Sequence, residues 1–352
     1  MQHEQQERFG HRLGRAALKR ILIAQARAER KPIPKNDRGD TLDPETFALL
    51  QNLQRTEVKG PRSVGRVRAD YDELGPMLDL ARTPLHHVED HTLSYRTASE
   101  DAHFRVRVYT PEKTKLRAPA ILFFHGGGFV IGSLKSHDGA LRKLAAMTRA
   151  VVIAVDYRLV PEHRTPAAYE DGLHAYRWLH DNADKLGIDP KRIVLSGDSA
   201  GGNLTLSTAL SIRDQALPAP CGLAPIYPMT DATGSFPSRV TLGEGFFLTS
   251  DLLHWFESRF VHDPALSNHS RVSVLQADPT GLPPTHITTA GFDPLRDEGE
   301  AMVKRLREAG VKVTHRSEDG QIHGFFTFAG VLPEAERAHA RIADAIAQLL
   351  YR

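Results

Sequence analysis

Apolar and polar residues alternate at Phe104, Val106 and Val108, the period-two pattern of a strand with one face buried. Farther along the apolar runs are continuous, at 121–124, 151–155, 193–195, 223–227 and 286–289. Runs without alternation mark strands covered on both faces, as in a parallel sheet. Stretches of helical character separate them, at 168–186, 204–215 and 298–309. This succession predicts an α/β protein with a mostly parallel central sheet flanked by helices. Ile342, Ala345, Ile346, Leu349 and Leu350 form the stripe of a closing amphipathic helix.

Two regions stand outside this alternation. Ahead of the strands, Leu13, Ala17, Ile21 and Ala24 recur at helical spacing, and Pro32 and Pro34 end that helix before an expected linker at 35–40. Thr41-Leu-Asp-Pro-Glu45 reads as a helix start, with a cap candidate, a first-turn proline and an acid at the positive helix end. A second helix is predicted around 67–83. The other interruption, 229–278, holds an aromatic-rich helix over 245–256 with Thr249 or Ser250 as its cap. An insertion there fits a lid over a pocket; ordinary core packing would also account for its aromatics.

Composition narrows the function. A single cysteine, Cys221, excludes a disulfide framework, a cysteine-rich zinc site and a CxxC redox pair. No ligand spacing of a metal site occurs. A net charge of +2 gives no mandate for nucleic acid, and the apolar runs are far shorter than the ~20 residues that span a bilayer. The first residues do not read as a secretory leader, so a cytoplasmic protein is expected. The charge is uneven: residues 1–40 hold ten Lys and Arg against five acids, +5, which leaves −3 for the remainder. This basic extension is either a solvated leading helix or an arm for weak association with an anionic surface or partner.

The chemistry concentrates in a few motifs. Gly197-Asp-Ser-Ala-Gly201 follows the apolar run 193–195 and precedes a helix, the context of a nucleophile elbow. A serine on so sharp a turn sits beside free amides at a helix start, and side chains two residues to either side would collide. His125-Gly-Gly-Gly-Phe129 follows the run 121–124, and consecutive glycines let backbone amides approach a developing oxyanion. The spacing Gly126, Gly128, Gly132 is not that of a dinucleotide loop. His125 reads as an anchor of the loop. A serine nucleophile needs a base and an orienting acid, in the chain order Ser, acid, His for this topology. Asp293 falls on the loop after run 286–289, and His323 on the loop after the last strand expected, 312–316. His315 lies inside that strand, and Asp297 reads as a first-turn residue of the next helix.

Taken together, His125-Gly-Gly-Gly-Phe129, Asp156-Tyr-Arg-Leu-Val-Pro-Glu-His163, Gly197-Asp-Ser-Ala-Gly-Gly-Asn203, Asp293-Pro-Leu-Arg-Asp-Glu298 and His323-Gly-Phe325 resemble the hormone-sensitive lipase family of esterases, in its bacterial branch. The resemblance covers roughly residues 42–350. It implies the α/β-hydrolase fold, a triad of Ser199, Asp293 and His323, and an oxyanion hole from the amides of Gly127, Gly128 and Ala200. It further implies a helical cap from 41–85 and 229–278 over a catalytic body of 86–228 and 279–352. Val160 stands where the family usually has alanine, and residues 1–40 exceed its common start.

The expected function is a carboxylesterase for short to medium acyl esters, needing no cofactor and no metal, with a homodimer left open. Alternatives are a non-hydrolytic small-molecule receptor, or an amidase or acyltransferase, on the same scaffold. Phe129, Phe246 and Phe247 are candidates to line the acyl pocket, with core packing the equal alternative. Asp156, Tyr157, Arg158 and Glu162 are expected to form one buried polar network behind the glycine loop, with Asp198 in similar work.

Overall fold

The computed structural model describes residues 2–29, 31–56, 63–97, 101–112 and 117–352. The side chains of 2–13, 55 and 56 lie outside the described set, and with them Arg8, Arg12 and Leu13, as does residue Arg30. Three helices come first: α1 (Gln2–Ala28), α2 (Pro44–Thr56) and α3 (Val64–Leu78). Then follow β1 (His87–Arg96), β2 (Asp101–Thr110), β3 (Ala118–Phe124), α4 (Asp138–Thr148), β4 (Val151–Asp156), α5 (Ala167–Asp181), β5 (Ile188–Asp198), α6 (Ala200–Asp214) and β6 (Gly222–Ile226). The chain closes with α7 (Ser238–Thr241), α8 (Ser250–Phe260), β7 (Thr285–Phe292), α9 (Arg296–Glu308), β8 (Val313–Ile322) and α10 (Pro333–Leu350).

The eight strands form one sheet in the order β1-β2-β4-β3-β5-β6-β7-β8. β1 and β2 pair antiparallel, β2 meets β4 antiparallel, and every later pairing is parallel. The continuous apolar runs have the expected cause. Along β3, Ala120, Leu122 and Phe124 enter the core shared with α5, α6 and α9, while Ile121 and Phe123 enter the core shared with α4 and α10. Both faces are covered, so neither tolerates polar residues. α10 buries Ile342, Ile346, Leu349 and Leu350 in the second core, as its stripe predicts. Among the described residues no helix is long and apolar enough to cross a membrane.

Several expectations need correction. Ala17, Ile21 and Ala24 face solvent, Ile21 being 50% exposed. α1 packs instead through Leu18 and Leu22, the latter fully buried and contributing roughly 2 kcal/mol. The expected stripe runs along the opposite side of the helix because small alanines satisfy a helical period without saying which face is covered. α1 is tied down by Arg15, which donates to the Pro76 carbonyl at 2.6 Å, and by Lys19 on Glu336 at 2.9 Å. Residues 35–40 are not a linker but a closed turn. Lys35 pairs with Thr41 in an antiparallel bridge, and the Asn36 side chain accepts from the amides of Arg38 and Asp40. The cap of α2 is Asp43, whose Oδ1 accepts from the Thr46 amide at 2.8 Å.

The expected polar network is also divided. Tyr157 is buried and donates to the His125 carbonyl at 2.7 Å, and Arg158 is buried on Asp171. Asp156 instead meets Arg105 near the surface, and Glu162, its side chain 54% exposed, meets Arg68. Asp156 is the last residue of β4 and Glu162 lies beyond the next turn, so both reach water where Tyr157 and Arg158 point inward.

Candidate active site

Four loops leave the carboxyl ends of β3, β5, β7 and β8, carrying His125–Gly128, Ser199, Asp293 and His323 respectively. Ser199 sits between β5 and α6 with φ +56°, a left-handed conformation that costs a non-glycine residue about 1 to 3 kcal/mol. Its amide donates to the Ile226 carbonyl at 2.9 Å, and its carbonyl accepts from Asn203 and Met229. The flanking glycines are required by contact. A Cβ on Gly197 would lie 2.4 Å from the Gly201 carbonyl oxygen, and one on Gly201 would lie 1.9 Å from that of Phe124. The elbow thus packs backbone directly on backbone.

His323 Nε2 lies 2.9 Å from Ser199 Oγ, and His323 Nδ1 lies 2.7 Å from Asp293 Oδ2. Asp293 is fully buried, so Nδ1 carries the proton it donates to the carboxylate, and Nε2 is left to accept from the serine hydroxyl. The second carboxylate oxygen accepts from the Leu295 amide at 2.8 Å. Serine, imidazole and carboxylate therefore form one hydrogen-bonded line of the kind that can activate a hydroxyl as a nucleophile. His315 lies in β8 and bonds Thr289, and Asp297 pairs with Arg38 and Arg296 in the first turn of α9.

The glycine loop lies against the elbow. Asp198 Oδ1 accepts from the Gly126 amide at 2.8 Å and from His137 Nε2 at 3.1 Å. Ser136 Oγ donates to the Ser133 carbonyl, so it accepts from His137 Nδ1 at 2.9 Å, and both ring nitrogens of His137 are donors. Burial would raise Asp198, but the charge and hydrogen bond of His137 outweigh it and hold the carboxyl below its ordinary range. Burial likewise opposes the His137 cation, and Asp198 reverses that and raises it. His125, stacked on Tyr157 at 4.2 Å and donating Nδ1–H to the Gly126 carbonyl, is pushed down to about 4 by burial and by His137. It anchors the loop as a neutral ring.

Gly127 and Gly128 take φ +119° and +58°, and a Cβ on Gly128 would meet the Phe256 ring at 2.4 Å. The amides of Gly127, Gly128 and Ala200 have no acceptor among the described residues. All three residues, with Ser199 and His323, line a cavity of about 220 Å³. Its walls are apolar, from Val67, Tyr71 and Leu74 of α3 and from Leu252, Leu253 and Phe256 of α8. Thr249 caps α8, accepting from Leu252, so Phe246 and Phe247 precede the helix. Phe247 lines the cavity, while Phe246 turns away onto Phe292 at 5.0 Å. Phe129 both lines the cavity and stacks on Phe260 at 4.0 Å.

α8 is also held by buried Arg239, which joins Glu257 and Glu298. Burial pushes the Glu298 carboxyl up to about 7 against the pull of Arg239. Sequence reasoning missed Phe256 and Phe260 as walls of the site, although the spacing of Leu252, Phe256 and Phe260 is readable as one helix face. Nothing in the sequence singles out Tyr71.

The chain is similar to known proteins of one fold family. Residues 121–327 match the family described as alpha/beta hydrolase fold. Carboxylesterase NlhH of Mycobacterium tuberculosis is 37% identical over 268 residues, 75% of this chain and 83% of that protein. Ethyl acetate hydrolase of Pseudomonas putida is 34% identical over 326 residues, covering 88% of this chain and 100% of the relative. The structure of a hyperthermophilic esterase from the archaeon Pyrobaculum calidifontis superposes with a TM-score of 0.82 at 39% identity, over 87% of this chain and 98% of that one. With sheet order, motif placement and these matches in accord, the chain belongs to the α/β-hydrolase fold family, among the carboxylesterases of its hormone-sensitive lipase branch.

Proposed function

We propose that this protein hydrolyses carboxylic esters of short to medium acyl chain through an acyl-enzyme on Ser199. The observation that carries the reading is the line Ser199–His323–Asp293 in one cavity with three amides that have no acceptor among the described residues. Ser199 Oγ attacks the ester carbonyl as its proton passes to His323 Nε2. Asp293 holds the ring in the productive tautomer and stabilises the cation. The carbonyl oxygen, now anionic, is received by the amides of Gly127, Gly128 and Ala200. Collapse breaks the bond to the alcohol, which leaves with the proton from His323, and a water activated by the same ring releases the acid.

Residues 41–85 and 229–278 act as the cap in this reading, since α3 and α8 both line the cavity that holds Ser199. A cavity of about 220 Å³ lies below the ~300–1,000 Å³ of drug-sized ligand sites, which favours small acyl and alcohol groups. A relative named for ethyl acetate points the same way. A cytoplasmic setting completes the reading, supported by the lone cysteine.

Ser199→Ala is expected to fold normally and to lose at least ~10³-fold in kcat on p-nitrophenyl butyrate. Wild-type-like turnover in that variant sinks the assignment. Rates on acetyl through palmitoyl esters test the chain-length claim, which fails if palmitoyl is fastest. An ester and its amide analogue assayed together separate esterase from amidase chemistry.

A further inference from the structure

The turn at residues 35–40, expected as a linker, makes its strongest contacts beside the proposed acid and base. Asn36 is buried, and its side-chain Nδ2 donates to the Gly291 carbonyl at 3.1 Å, two residues before Asp293. Asp37 receives both terminal nitrogens of Arg296, at 2.6 and 2.9 Å, three residues after Asp293. Arg296 is 2% exposed and also reaches Asp297 at 2.8 Å. Arg38 pairs with Glu300 and Asp297 in the first turns of α9. Asp43 donates its amide to the Gly320 carbonyl at 2.9 Å, three residues before His323. Thr241 of α7 donates to Asp37 at 3.1 Å.

These contacts fall on the elements that flank the two loops, Gly291 in β7, Arg296 in α9 and Gly320 in β8. The ladder between β7 and β8 shifts register between Ala290 and Phe292 and resumes with Phe292 opposite Ile322, so the irregular stretch that the strap contacts lies directly before both loops. Gly291 packs on the Asp319 carbonyl, where a Cβ would lie at 2.0 Å, so a shift of one loop is felt by the other. A bidentate guanidinium–carboxylate pair is the most geometrically specific ion pair available to a side chain. Its guanidinium is buried, while the Asp37 carboxylate reaches it from the surface.

We infer that residues 34–43 form a strap that sets the separation of the Asp293 and His323 loops, with Asn36 and Asp37 as positioning residues for the Asp293–His323 hydrogen bond. Neither residue touches the reacting atoms. The strap acts on the chemical step through ring orientation, where a displacement near 1 Å can cost up to ~100-fold in rate. It leaves the cavity walls on α3 and α8 in place, so binding should change little. The inference rests on reading Asp293 and His323 as acid and base.

The test uses the full chain with Asn36→Ala and Asp37→Asn, singly and together. The double variant is expected to lower kcat on p-nitrophenyl butyrate about tenfold with KM within about twofold. The far-downfield proton signal of His323 Nδ1–H, identified by its loss in His323→Gln, is expected to shift or broaden. Leu22→Ala, in the core of α1 away from these loops, should lower the melting temperature and leave kcat and the proton signal alone. A double variant that is less stable but keeps wild-type kcat and the wild-type signal overturns the inference, as does a rise in KM alone. If the double variant does not fold, Asp37→Asn decides by the same readouts. Full activity in Ser199→Ala would instead overturn the triad reading, which keeps the two failures distinct.

Discussion

Around Gly126 and Ser199 the chain is constrained by its own backbone. Gly197 and Gly201 bring main chain against main chain, and Asp198 holds the Gly126 amide from the residue next to the serine. Around Asp293 and His323 one such approach occurs, Gly291 on the Asp319 carbonyl, and a contact 255 residues distant in sequence adds to it, reaching the Gly291 carbonyl from Asn36. The contrast follows from what each side must do. An elbow and an oxyanion loop need backbone approach closer than any side chain allows, and only glycines at fixed offsets permit it. An acid and a base need angular alignment of two loops, which any rigid neighbour can provide, wherever it lies in the chain.

The sharpest way to break this contrast is Gly201→Ala. Its Cβ would lie 1.9 Å from the Phe124 carbonyl oxygen, so the elbow must open. A loss above ~4 kcal/mol, or no native protein, is expected from urea unfolding. Near-normal stability would show that the elbow is not held by backbone packing.

A smaller effect distinguishes the two sides by pH. His137 is raised, so its contribution is complete below 6.5 and lost as pH climbs through the folded value. Asp37 is lowered from 3.8 to about 2 by the Arg296 hydrogen bond, so its contribution is complete above 3.8 and lost as pH falls through about 2. The gap in urea midpoint between wild type and His137→Gln should therefore close in alkali, and that for Asp37→Asn should close in acid. Each gap is expected at about 2 kcal/mol or less. Gaps that close in the same direction would contradict the assignment of charges.

The smallest effect is Gly320→Ala, on the externally held side. The nearest atoms to its Cβ, at 3.4 Å, are in ordinary contact, and the carbonyl that takes Asp43 is retained. Stability should stay within about 0.5 kcal/mol and kcat should be unchanged. A severe loss in both would show that Gly320 is packed as tightly as Gly291.

Much of this architecture is legible in sequence. The runs at 121–124, 151–155 and 193–195 lie in parallel strands because apolar cover on both faces leaves no polar positions. Gly197 and Asp293 lie at the ends of strands that local pattern delimits, and Gly201 in the first turn of the helix that follows. Phe246 was misplaced as a pocket candidate because two adjacent aromatics in a loop point to different sides, and no period tells which side is the cavity. Ala17 and Ile21 misled in the same way, as a helical period without a known neighbour.

The sequence by itself determined the sheet, the elbow, the glycine loop and the candidate acid and base, because each is encoded within a few residues by steric demands that only certain side chains meet. Tertiary structure alone decided which face of α1 is covered, that Asp156 and Glu162 pair with arginines nearer the surface, and that 34–43 docks beside the loops of Asp293 and His323. Those outcomes depend on partners hundreds of residues away, and residues such as Asn36 and Asp37 read the same in a solvated linker as in a docked strap.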